Sequence, residues 1–228
     1  MEICAIIPAR GGSKAIKKKN LQCVGSKPLI IRTIEAARKS KWINRIVVST
    51  DDKQISELAQ TYGSEIIERP TEISGDDATS ESALLHVLNK LEKEENYYPD
   101  IIVFLQCTSP FTTSGDIDGT INALINNKAD SAFAATEFYK FLWKYDNNGS
   151  VIGINHNEKR IRKRRQDVNL QYQEAGSVYA FITNGFLINK NRFFGKIIVY
   201  SIPTERVFEI DNETELINAN IIAKNSMS

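Results

Sequence analysis

The densest group of residues that could bind an anion follows the first predicted strand. Residues 3–9 are apolar, and they lead into Arg10, the paired glycines Gly11 and Gly12, and a basic stretch ending at Lys19. Glycine permits backbone angles that other residues resist, so backbone N–H groups can turn toward a bound group. The pattern indicates a pocket for a polyanion, most simply a phosphate chain. A buried strand followed by a solvated basic loop is the alternative.

This loop fits neither of the two common glycine-rich phosphate motifs. A Walker A loop requires Gly-Lys-Ser/Thr at a fixed distance, and no such triplet follows Gly11. The spacing G-x-G-x-x-G is also missing, so a dinucleotide-binding fold of the usual kind is not indicated. From the residues themselves, the phosphate hypothesis depends on charge and on glycine placement.

A pair of carboxylates near the end of the chain is the candidate metal site. Glu209 and Asp211 are two residues apart on a predicted strand at 207–211, which places both side chains on one face. One or two carboxylates together with substrate phosphates are a usual ligand set for Mg²⁺. The alternative is a solvated strand end, where carboxylates are common.

Four other segments have both a functional and a structural interpretation. Residues 76–81 either contact a ligand or only begin a helix, and Gln106 either contacts a ligand or only ends a strand. The basic residues in 160–165 could bind a carboxylate, because a guanidinium matches its geometry, or they could form a solvated surface. Phe193 and Phe194 could form a ligand wall or belong to the core.

Alternating strands and helices must position these residues. The apolar pattern predicts a strand from residue 3, further strands at 45–50, 65–68 and 100–106, and helices at 28–41, 53–62, 79–95 and 114–127. Short connections between them imply right-handed crossovers and a mostly parallel, Rossmann-like α/β sheet flanked by helices. Ligands bind beyond the carboxyl ends of such strands, which collects the Arg10 loop, 49–52, 69–70 and 106–110 on one rim.

The pattern changes in the second half of the chain. Strands are predicted at 129–136, 177–183, 196–202 and 207–211, followed by a helix at 212–224. Residues 137–173 show no clean period and are rich in charged, aromatic and turn residues, so they are interpreted as an insertion that leaves the main sheet. A length of 228 residues suits one domain with such an insertion.

Composition limits the classes of partner. A net charge of +1 excludes a generally basic nucleic-acid-binding protein, and no apolar run is long enough to span a membrane. We expect no signal peptide, because the first strand begins at residue 3. Three cysteines without C-x-x-C spacing indicate reduced thiols in a cytoplasmic protein and make zinc binding improbable.

Taken together, these segments resemble the sugar-acid cytidylyltransferases, in particular the acylneuraminate cytidylyltransferase (CMP-sialic acid synthetase) family. The matching blocks cover nearly the whole chain in the family's order. They are Pro8-Ala9-Arg10-Gly11-Gly12-Ser13-Lys14 with Lys19-Asn20, Val48-Ser49-Thr50-Asp51, Arg69-Pro70, residues 76–80, Leu105-Gln106-Cys107-Thr108-Ser109-Pro110, Arg164-Arg165-Gln166-Asp167, Gly176-Ser177-Val178-Tyr179 and Glu209-Ile210-Asp211. An ordered set of this kind is far more specific than any one block.

The resemblance implies a nucleotide-diphospho-sugar transferase type of fold and a defined reaction. CMP passes from CTP to the anomeric hydroxyl of a nonulosonic acid, most simply N-acetylneuraminate, and pyrophosphate is released with Mg²⁺, or Mn²⁺ in its place, as cofactor. The implied catalytic residues are Arg10, Lys19 and Asp211, and Glu209 with Asp211 is the implied metal pair. The implied CTP-binding residues are Arg10, Ser13, Lys19, Asn20, Arg69, Ala78 and Ser80.

The sugar acid and the dimer are also assigned by resemblance. The implied sugar-binding residues are Gln106, Lys144, Arg165, Tyr179, Phe193 and Phe194, with Lys144 and Arg165 acting in part across a dimer interface. The segment 138–172 matches the family's dimerisation element within a single domain, 1–228, so we expect a homodimer. Neither a nucleic acid nor a membrane is an expected partner.

Several positions depart from the family pattern, and one of them, Ala175, bears on the sugar pocket and so on the choice of sugar. They are Ala15 for glycine, Lys17 for proline, Cys107 for proline, Thr112 for arginine, Ala175 for asparagine and Glu209 for aspartate. Legionaminate, pseudaminate, a deaminated analogue and 3-deoxy-octulosonate are therefore alternative substrates. A non-catalytic nucleotide-binding protein is the alternative from another class, and the intact Arg10, Lys19 and Asp211 argue against it.

Overall fold

The computed structural model describes residues 1–162, 164, 167 and 169–225. Its strands are β1 Ile3–Pro8, β2 Cys23–Val24, β3 Lys27–Pro28, β4 Arg45–Thr50, β5 Glu65–Glu68, β6 Ile101–Leu105, β7 Ser131–Phe138, β8 Trp143–Tyr145, β9 Val151–Gly153, β10 Gln171–Ile182 and β11 Ile197–Ser201. Its helices are α1 Leu29–Arg38, α2 Lys53–Thr61, α3 Ser80–Glu95, α4 Ser114–Asn126, α5 Thr183–Asn189 and α6 Glu213–Asn225.

Seven strands form the main sheet, in the order β11-β7-β10-β6-β1-β4-β5. In the interior, β1 pairs in parallel with both β4 and β6. The pairs β4–β5 and β7–β11 are parallel as well, whereas β10 runs antiparallel to its two neighbours, β6 and β7. The sheet is therefore mixed and mostly parallel, with helices at its sides, which confirms the predicted fold class.

Helices bury both faces of this sheet. Ile34 of α1 and Ile117 of α4 belong to the core on one face, and Leu84 of α3 and Phe186 of α5 belong to the core on the other. Strands that are covered on both sides become continuous apolar runs, which explains the composition of β1 and β6. Within the described ranges, no helix combines the length and the apolar character that crossing a membrane requires.

The carboxyl ends of β1, β4, β5 and β6 meet at one edge of the sheet, as the sequence predicts. Pro8 at the end of β1 pairs with Ser49 of β4, and the Arg69 N–H that follows β5 donates to the Thr50 carbonyl at 2.8 Å. Helix α3 begins near Arg69, where the Thr79 hydroxyl accepts a hydrogen bond from the Ser82 N–H at 3.1 Å. A side-chain cap of this kind is worth about 1 kcal/mol and fixes where the helix starts.

Between β7 and β10, the described residues of 139–170 leave the main sheet. In this segment β8 and β9 form a separate two-stranded antiparallel sheet. Large apolar side chains there are exposed, including Trp143, Ile154 and Leu170. The role of 138–172 in dimerisation stays a prediction.

Two parts of the secondary-structure prediction are wrong. Residues 207–211 alternate like a strand but form none, because they have no partner strand, and the Ile210 N–H instead donates to the Thr108 carbonyl at 2.9 Å. The segment Thr183–Asn189, for which no helix was predicted, forms α5. In addition β10 begins at Gln171, earlier than predicted, because pairing with β7 imposes strand geometry on polar residues.

Candidate active site

The residues expected to bind CTP line a single cleft at this edge of the sheet. They are Arg10, Ser13, Lys19, Asn20, Arg69, Ala78 and Ser80, and Gln106, Phe104 and Thr108 complete the wall. The cleft encloses about 190 Å³. Typical small-molecule sites enclose roughly 300–1,000 Å³, so a ligand of usual size would fill this cleft and extend along its rim.

The entrance of the cleft carries a cluster of opposite charges. The Arg10 guanidinium lies 2.6 Å from the Gly75 carbonyl and 3.1 Å from the Asp76 carboxylate. Lys14 lies 2.9 Å from the same carboxylate. The hydrogen bond from Lys14 and the charges of Lys14 and Arg10 lower the pKa of Asp76. Two cations of the basic loop thus converge on one anionic group, which is what a phosphate requires.

Local contacts set the shape of the basic loop. The Gly11 N–H donates to Asp51 at 2.8 Å, and a Cβ at Gly11 would lie 2.7 Å from the Cβ of Asp52. Only glycine therefore fits between the loop and the start of α2. The Asn20 side chain donates to the Arg10 carbonyl at 3.0 Å, so Asn20 closes the loop from its other end.

Lys19 connects the basic loop to the carboxylate pair. Its ammonium lies 3.1 Å from Asp211 Oδ1 and 3.0 Å from the Ile210 carbonyl. The lysine side chain is 17% exposed, so it is held at the base of the cleft and is not a freely solvated charge. The predicted phosphate-binding loop and the predicted metal pair are thus parts of one site.

Glu209 and Asp211 form a donor set that fits a divalent cation. Burial raises the pKa of Glu209, and the nearby Asp211 carboxylate raises it further. Thr108 Oγ1 lies 3.4 Å from Glu209 Oε1. In the described part of the chain, no group of three or more His, Cys, Asp and Glu side chains could hold a metal. A cation at this pair would therefore need substrate oxygens as further ligands, as Mg²⁺ commonly does.

Arg69 is buried behind the cleft, and it is 6% exposed. Its guanidinium donates to the Ser49 hydroxyl at 3.1 Å and to the Ser49 carbonyl at 2.7 Å. Burial lowers the pKa of Arg69, Asp51 acts in the opposite sense, and Arg10 lowers it further. An anionic group in the cleft would therefore relieve a buried, only partly compensated positive charge.

Aromatic side chains form the wall next to Gln106. The rings of Phe104 and Tyr179 stack with centroids 5.2 Å apart, and Phe193 meets Tyr179 edge-on at 5.9 Å. Phe194 packs beside them, with Gly185 leaving room for its ring. Tyr179 is 3% exposed, and its hydroxyl donates a short hydrogen bond to Glu174. The sequence-predicted aromatics are thus brought together, mainly as packed side chains.

An ion pair that the sequence did not single out supports this wall. The Arg192 Nε donates to Glu81 Oε1 at 2.7 Å, and both side chains are largely buried. The guanidinium also lies over the Phe104 ring at 4.7 Å and over the Tyr179 ring at 4.8 Å. Arg192 therefore links the first turn of α3, which carries Ser80, to the aromatic wall.

Among the described residues predicted to bind the sugar, only Gln106 lines the cleft itself. Lys144 is on β8, paired with Ile152, and it does not line the cleft. Arg165 lies outside the described residues. A larger cavity of about 640 Å³, lined in part by Phe141, Trp143 and His156, lies in the same segment as Lys144 and contains none of the described candidate site residues. A contribution of Lys144 across a dimer interface stays a prediction.

The residues missed by sequence reasoning share one property. Asp76 and Glu81 enter the sequence analysis only as members of the segment 76–81, and Glu174 and Arg192 have no role in it. Most of their partners are distant in sequence, as with Arg192 and Glu81, 111 residues apart, and Glu174 meets Tyr179, five residues away, only through an irregularity in β10. No local spacing signals such a contact. An arginine next to the predicted Phe193-Phe194 wall was the one available hint.

The comparison with family descriptions gives one match across most of the chain. The family described as Cytidylyltransferase matches residues 4–223. A pseudaminic acid cytidylyltransferase from Campylobacter jejuni is 32% identical over 227 residues, which cover 98% of this chain and 97% of that protein. An N-acylneuraminate cytidylyltransferase from Escherichia coli is 30% identical over 230 residues, covering 94% of this chain and 50% of that protein.

Solved structures with similar folds are more distant in sequence. A CMP:2-keto-3-deoxy-manno-octonic acid synthetase complexed with CTP superposes with a TM-score of 0.72 at 16% identity, covering 99% of this chain and 100% of that one. A 4-diphosphocytidyl-2C-methyl-D-erythritol synthase from Anaerococcus prevotii gives 0.68 at 19% identity, with 98% of each chain covered. At such identities the likeness concerns the fold.

Proposed function

The chain belongs to the cytidylyltransferase family, and on that premise we propose that it transfers CMP from CTP to the anomeric hydroxyl of a nonulosonic acid. The observation that carries this proposal is the contact of Lys19 with Asp211, 3.1 Å between Nζ and Oδ1. It joins a cleft lined by Arg10, Ser13 and Asn20 to a carboxylate pair suited to a divalent cation. A nucleoside triphosphate needs both the basic groups of the cleft and a divalent cation at the carboxylate pair.

The residues of the cleft suit the charge changes of this reaction. The sugar hydroxyl attacks the α-phosphorus, the bond from the α-phosphorus to the bridging oxygen breaks, and pyrophosphate leaves. Negative charge grows on the phosphate oxygens and on the leaving group, so positioning and charge neutralisation dominate catalysis. Arg10 and Lys19 supply positive charge there, and Ser13 and Asn20 orient the triphosphate. Ala78 and Ser80, at the start of α3, face the ribose and base.

Mg²⁺ is the proposed cofactor, held by Glu209 and Asp211. When bound, it supplies positive charge to the phosphate oxygens and lowers the pKa of a coordinated hydroxyl. Burial raises the pKa of Glu209 and the nearby Asp211 carboxylate raises it further, and a cation held by both carboxylates would offset that repulsion. Mn²⁺, which takes similar oxygen ligands, is a proposed substitute.

The acceptor is proposed as a class, with two leading candidates. N-acetylneuraminate is the acid that the family resemblance implies, and relatives named for pseudaminic acid and for N-acylneuraminate have similar identities to this chain. Legionaminate, a deaminated analogue and 3-deoxy-octulosonate are the further proposed acceptors. Gln106, Phe193 and Phe194 would contact the sugar, with the buried Tyr179 packed behind them. Lys144 and Arg165 would approach it from a second subunit.

The molecular setting is also a proposal. A homodimer through 138–172 is supported by the exposed apolar side chains of that segment. A cytoplasmic location is supported by the three cysteines, Cys4, Cys23 and Cys107, all of which are free thiols.

Pyrophosphate release tests the proposal. The protein is mixed with CTP, Mg²⁺ and each of the acids named above in turn, and release is followed by a coupled phosphate assay. We expect release with at least one nonulosonic acid and none without an acid. Omission of Mg²⁺ should abolish it. Release that does not depend on any sugar acid would argue for a different acceptor.

A further inference from the structure

The hydroxyl of Tyr179 is already engaged within the protein. Tyr179 is 3% exposed, its ring stacks on Phe104, and its hydroxyl donates to Glu174 Oε1. Arg192 covers the ring as well, with its guanidinium 4.8 Å from the centroid. Tyr179 therefore offers little surface to a ligand. Glu174, which accepts the hydrogen bond from the Tyr179 hydroxyl, is the exposed residue among these contacts.

An irregularity in β10 brings Glu174 and Tyr179 together. Glu174 is opposite Ala135 and Tyr179 is opposite Phe133, so five steps along β10 correspond to only two along β7. In a regular strand, residues five apart are separated by roughly 17 Å and point to opposite faces. The extra residues form a bulge, and bulges commonly redirect side chains next to active sites.

The bulge is fixed against the cleft by specific contacts. Gly176 has a φ of 63°, and its carbonyl accepts a hydrogen bond from the Ser109 hydroxyl at 2.9 Å. The Gln106 N–H donates to the Ser177 carbonyl at 3.1 Å. A Cβ at Gly176 would lie 3.0 Å from Glu209 Oε2, so the bulge packs directly against the carboxylate pair. Glu174 thus projects from a rigid segment next to Gln106 and Glu209.

Within the described ranges, no cation forms an ion pair with Glu174. Arg192, the nearest cation to the aromatic wall, is paired with Glu81. Among the residues that the structure describes, none donates a hydrogen bond to the second oxygen of Glu174, Oε2. That oxygen is available to a donor from outside the protein.

We propose that Glu174 is a sugar-binding residue whose free carboxylate oxygen accepts a hydrogen bond from a hydroxyl or acylamino N–H of the sugar acid. Tyr179 is its positioning residue, because its hydroxyl holds the other oxygen. This proposal rests on the proposed function and names a contact within the same site. The carboxylate of the sugar acid is excluded as the group that binds here, since two like charges would meet.

Kinetics of Glu174→Leu, Glu174→Gln and Tyr179→Phe test this role. Pyrophosphate release is measured against N-acetylneuraminate and pseudaminate at saturating CTP, and then against CTP at a saturating concentration of the acid. For Glu174→Leu we expect KM for the acid to rise roughly 10- to 100-fold, the value of a hydrogen bond to a charged group. KM for CTP should stay at the wild-type value. Glu174→Gln keeps an acceptor oxygen and should show a smaller rise.

Two further variants distinguish the positioning role of Tyr179 from general damage to the structure. Tyr179→Phe leaves the carboxylate in place but unanchored, so KM for the acid should rise less than in Glu174→Leu. Glu137→Leu is the matched control. Glu137 lies on the neighbouring strand, β7, and like Glu174 it accepts a hydrogen bond from a tyrosine hydroxyl, that of Tyr139, at 2.7 Å. The deaminated analogue identifies the donor. If Glu174→Leu raises KM for the deaminated analogue as much as it raises KM for N-acetylneuraminate, the donor is a hydroxyl. A smaller rise for the analogue indicates the acylamino N–H.

The outcomes that overturn the proposal are distinct from failure of the proposed function. If the wild type is active and Glu174→Leu keeps its KM for every acid, Glu174 does not bind the sugar. Equal increases in KM for CTP and for the acid would show a structural role instead. If Glu174→Leu does not fold, Glu174→Gln carries the same comparison. No wild-type turnover with any acid would overturn the proposed function, and this inference with it.

Discussion

At the scale of single residues, Lys19 has the most specific position in the site. It follows an exposed basic stretch, yet its side chain is largely buried against Ile210 and Asp211. Lys17, two residues earlier, is exposed. One loop thus contains a lysine held at the base of the cleft and a lysine in solvent. This difference in burial, which the sequence does not show, separates the lysine proposed to bind phosphate from a lysine exposed to solvent.

Replacement of Lys19 by alanine should reduce turnover with little effect on folding. Loss of one preorganised positive group at a site of developing negative charge typically costs about 10²- to 10³-fold in kcat. Steady-state pyrophosphate release measures the change, and circular dichroism checks the fold. Lys17→Ala is the matched control and should retain wild-type kcat. Near-normal turnover of Lys19→Ala would remove Lys19 from the phosphate site.

Replacement of Asp211 by asparagine should weaken the binding of Mg²⁺ and so change the dependence of activity on Mg²⁺ concentration. The amide keeps the shape of the side chain but loses the negative charge that a divalent cation requires. A titration of activity with Mg²⁺ should therefore reach half-maximum at a higher concentration than in the wild type. Glu213→Asn, at the start of α6, is a control outside the cleft. A titration of Asp211→Asn that superposes on the wild type would place the metal elsewhere.

At the scale of elements, the positions of the strands were largely predictable. The strands at 45–50 and 65–68 have the predicted bounds, because short apolar runs with clear turn signals leave few alternatives. The strand predicted at 207–211 failed because alternation does not show whether a partner strand exists. The phosphate loop was recognisable from contiguous residues. The Glu81–Arg192 pair and the bulge of β10 arise from tertiary contacts and were not.

The Glu81–Arg192 pair should make folding stability depend on pH. Burial alone would raise the pKa of Glu81, but the hydrogen bond and the charge of Arg192 outweigh it and lower the pKa. A carboxyl whose pKa is lower in the folded state stabilises the fold above its unfolded pKa, about 4.3, and this contribution is lost as the pH falls through the folded value.

Chemical unfolding of Glu81→Gln and the wild type across acidic pH measures this contribution. We expect the wild type to be more stable at neutral pH and the difference in free energy of unfolding to shrink as the pH falls. Glu57→Gln, on the exposed side of α2, serves as the control. A difference between Glu81→Gln and the wild type that stays constant over the whole range would contradict the role assigned to the pair.

At the scale of the whole molecule, the segment 138–172 is the feature that a monomer does not explain. Ile161 is 97% exposed, and Trp143 and Ile154 are each more than half exposed. Clusters of exposed apolar side chains commonly mark interaction surfaces. The resemblance predicts that a second copy of the chain covers this surface and contributes Lys144 and Arg165 to the sugar side of the site.

Sedimentation at micromolar concentration should therefore give twice the 25.7 kDa mass of one chain. Ile161→Asp should shift the protein toward the monomer, because a charge would be buried in the interface. Ile188→Asp is the matched control, since Ile188 is 80% exposed on α5, outside the segment. A wild-type protein that sediments as a monomer would contradict the predicted homodimer.

The central claim is that this cleft joins CMP to a nonulosonic acid, and product identification tests it most directly. The protein is incubated with CTP, Mg²⁺ and an equal mixture of N-acetylneuraminate and pseudaminate, and the products are resolved by mass spectrometry. We predict a CMP-linked sugar acid in amounts equal to the pyrophosphate formed, and the ratio of the two products gives the preference. CTP that remains unchanged with these acids, and with legionaminate, the deaminated analogue and 3-deoxy-octulosonate, would contradict the proposed function.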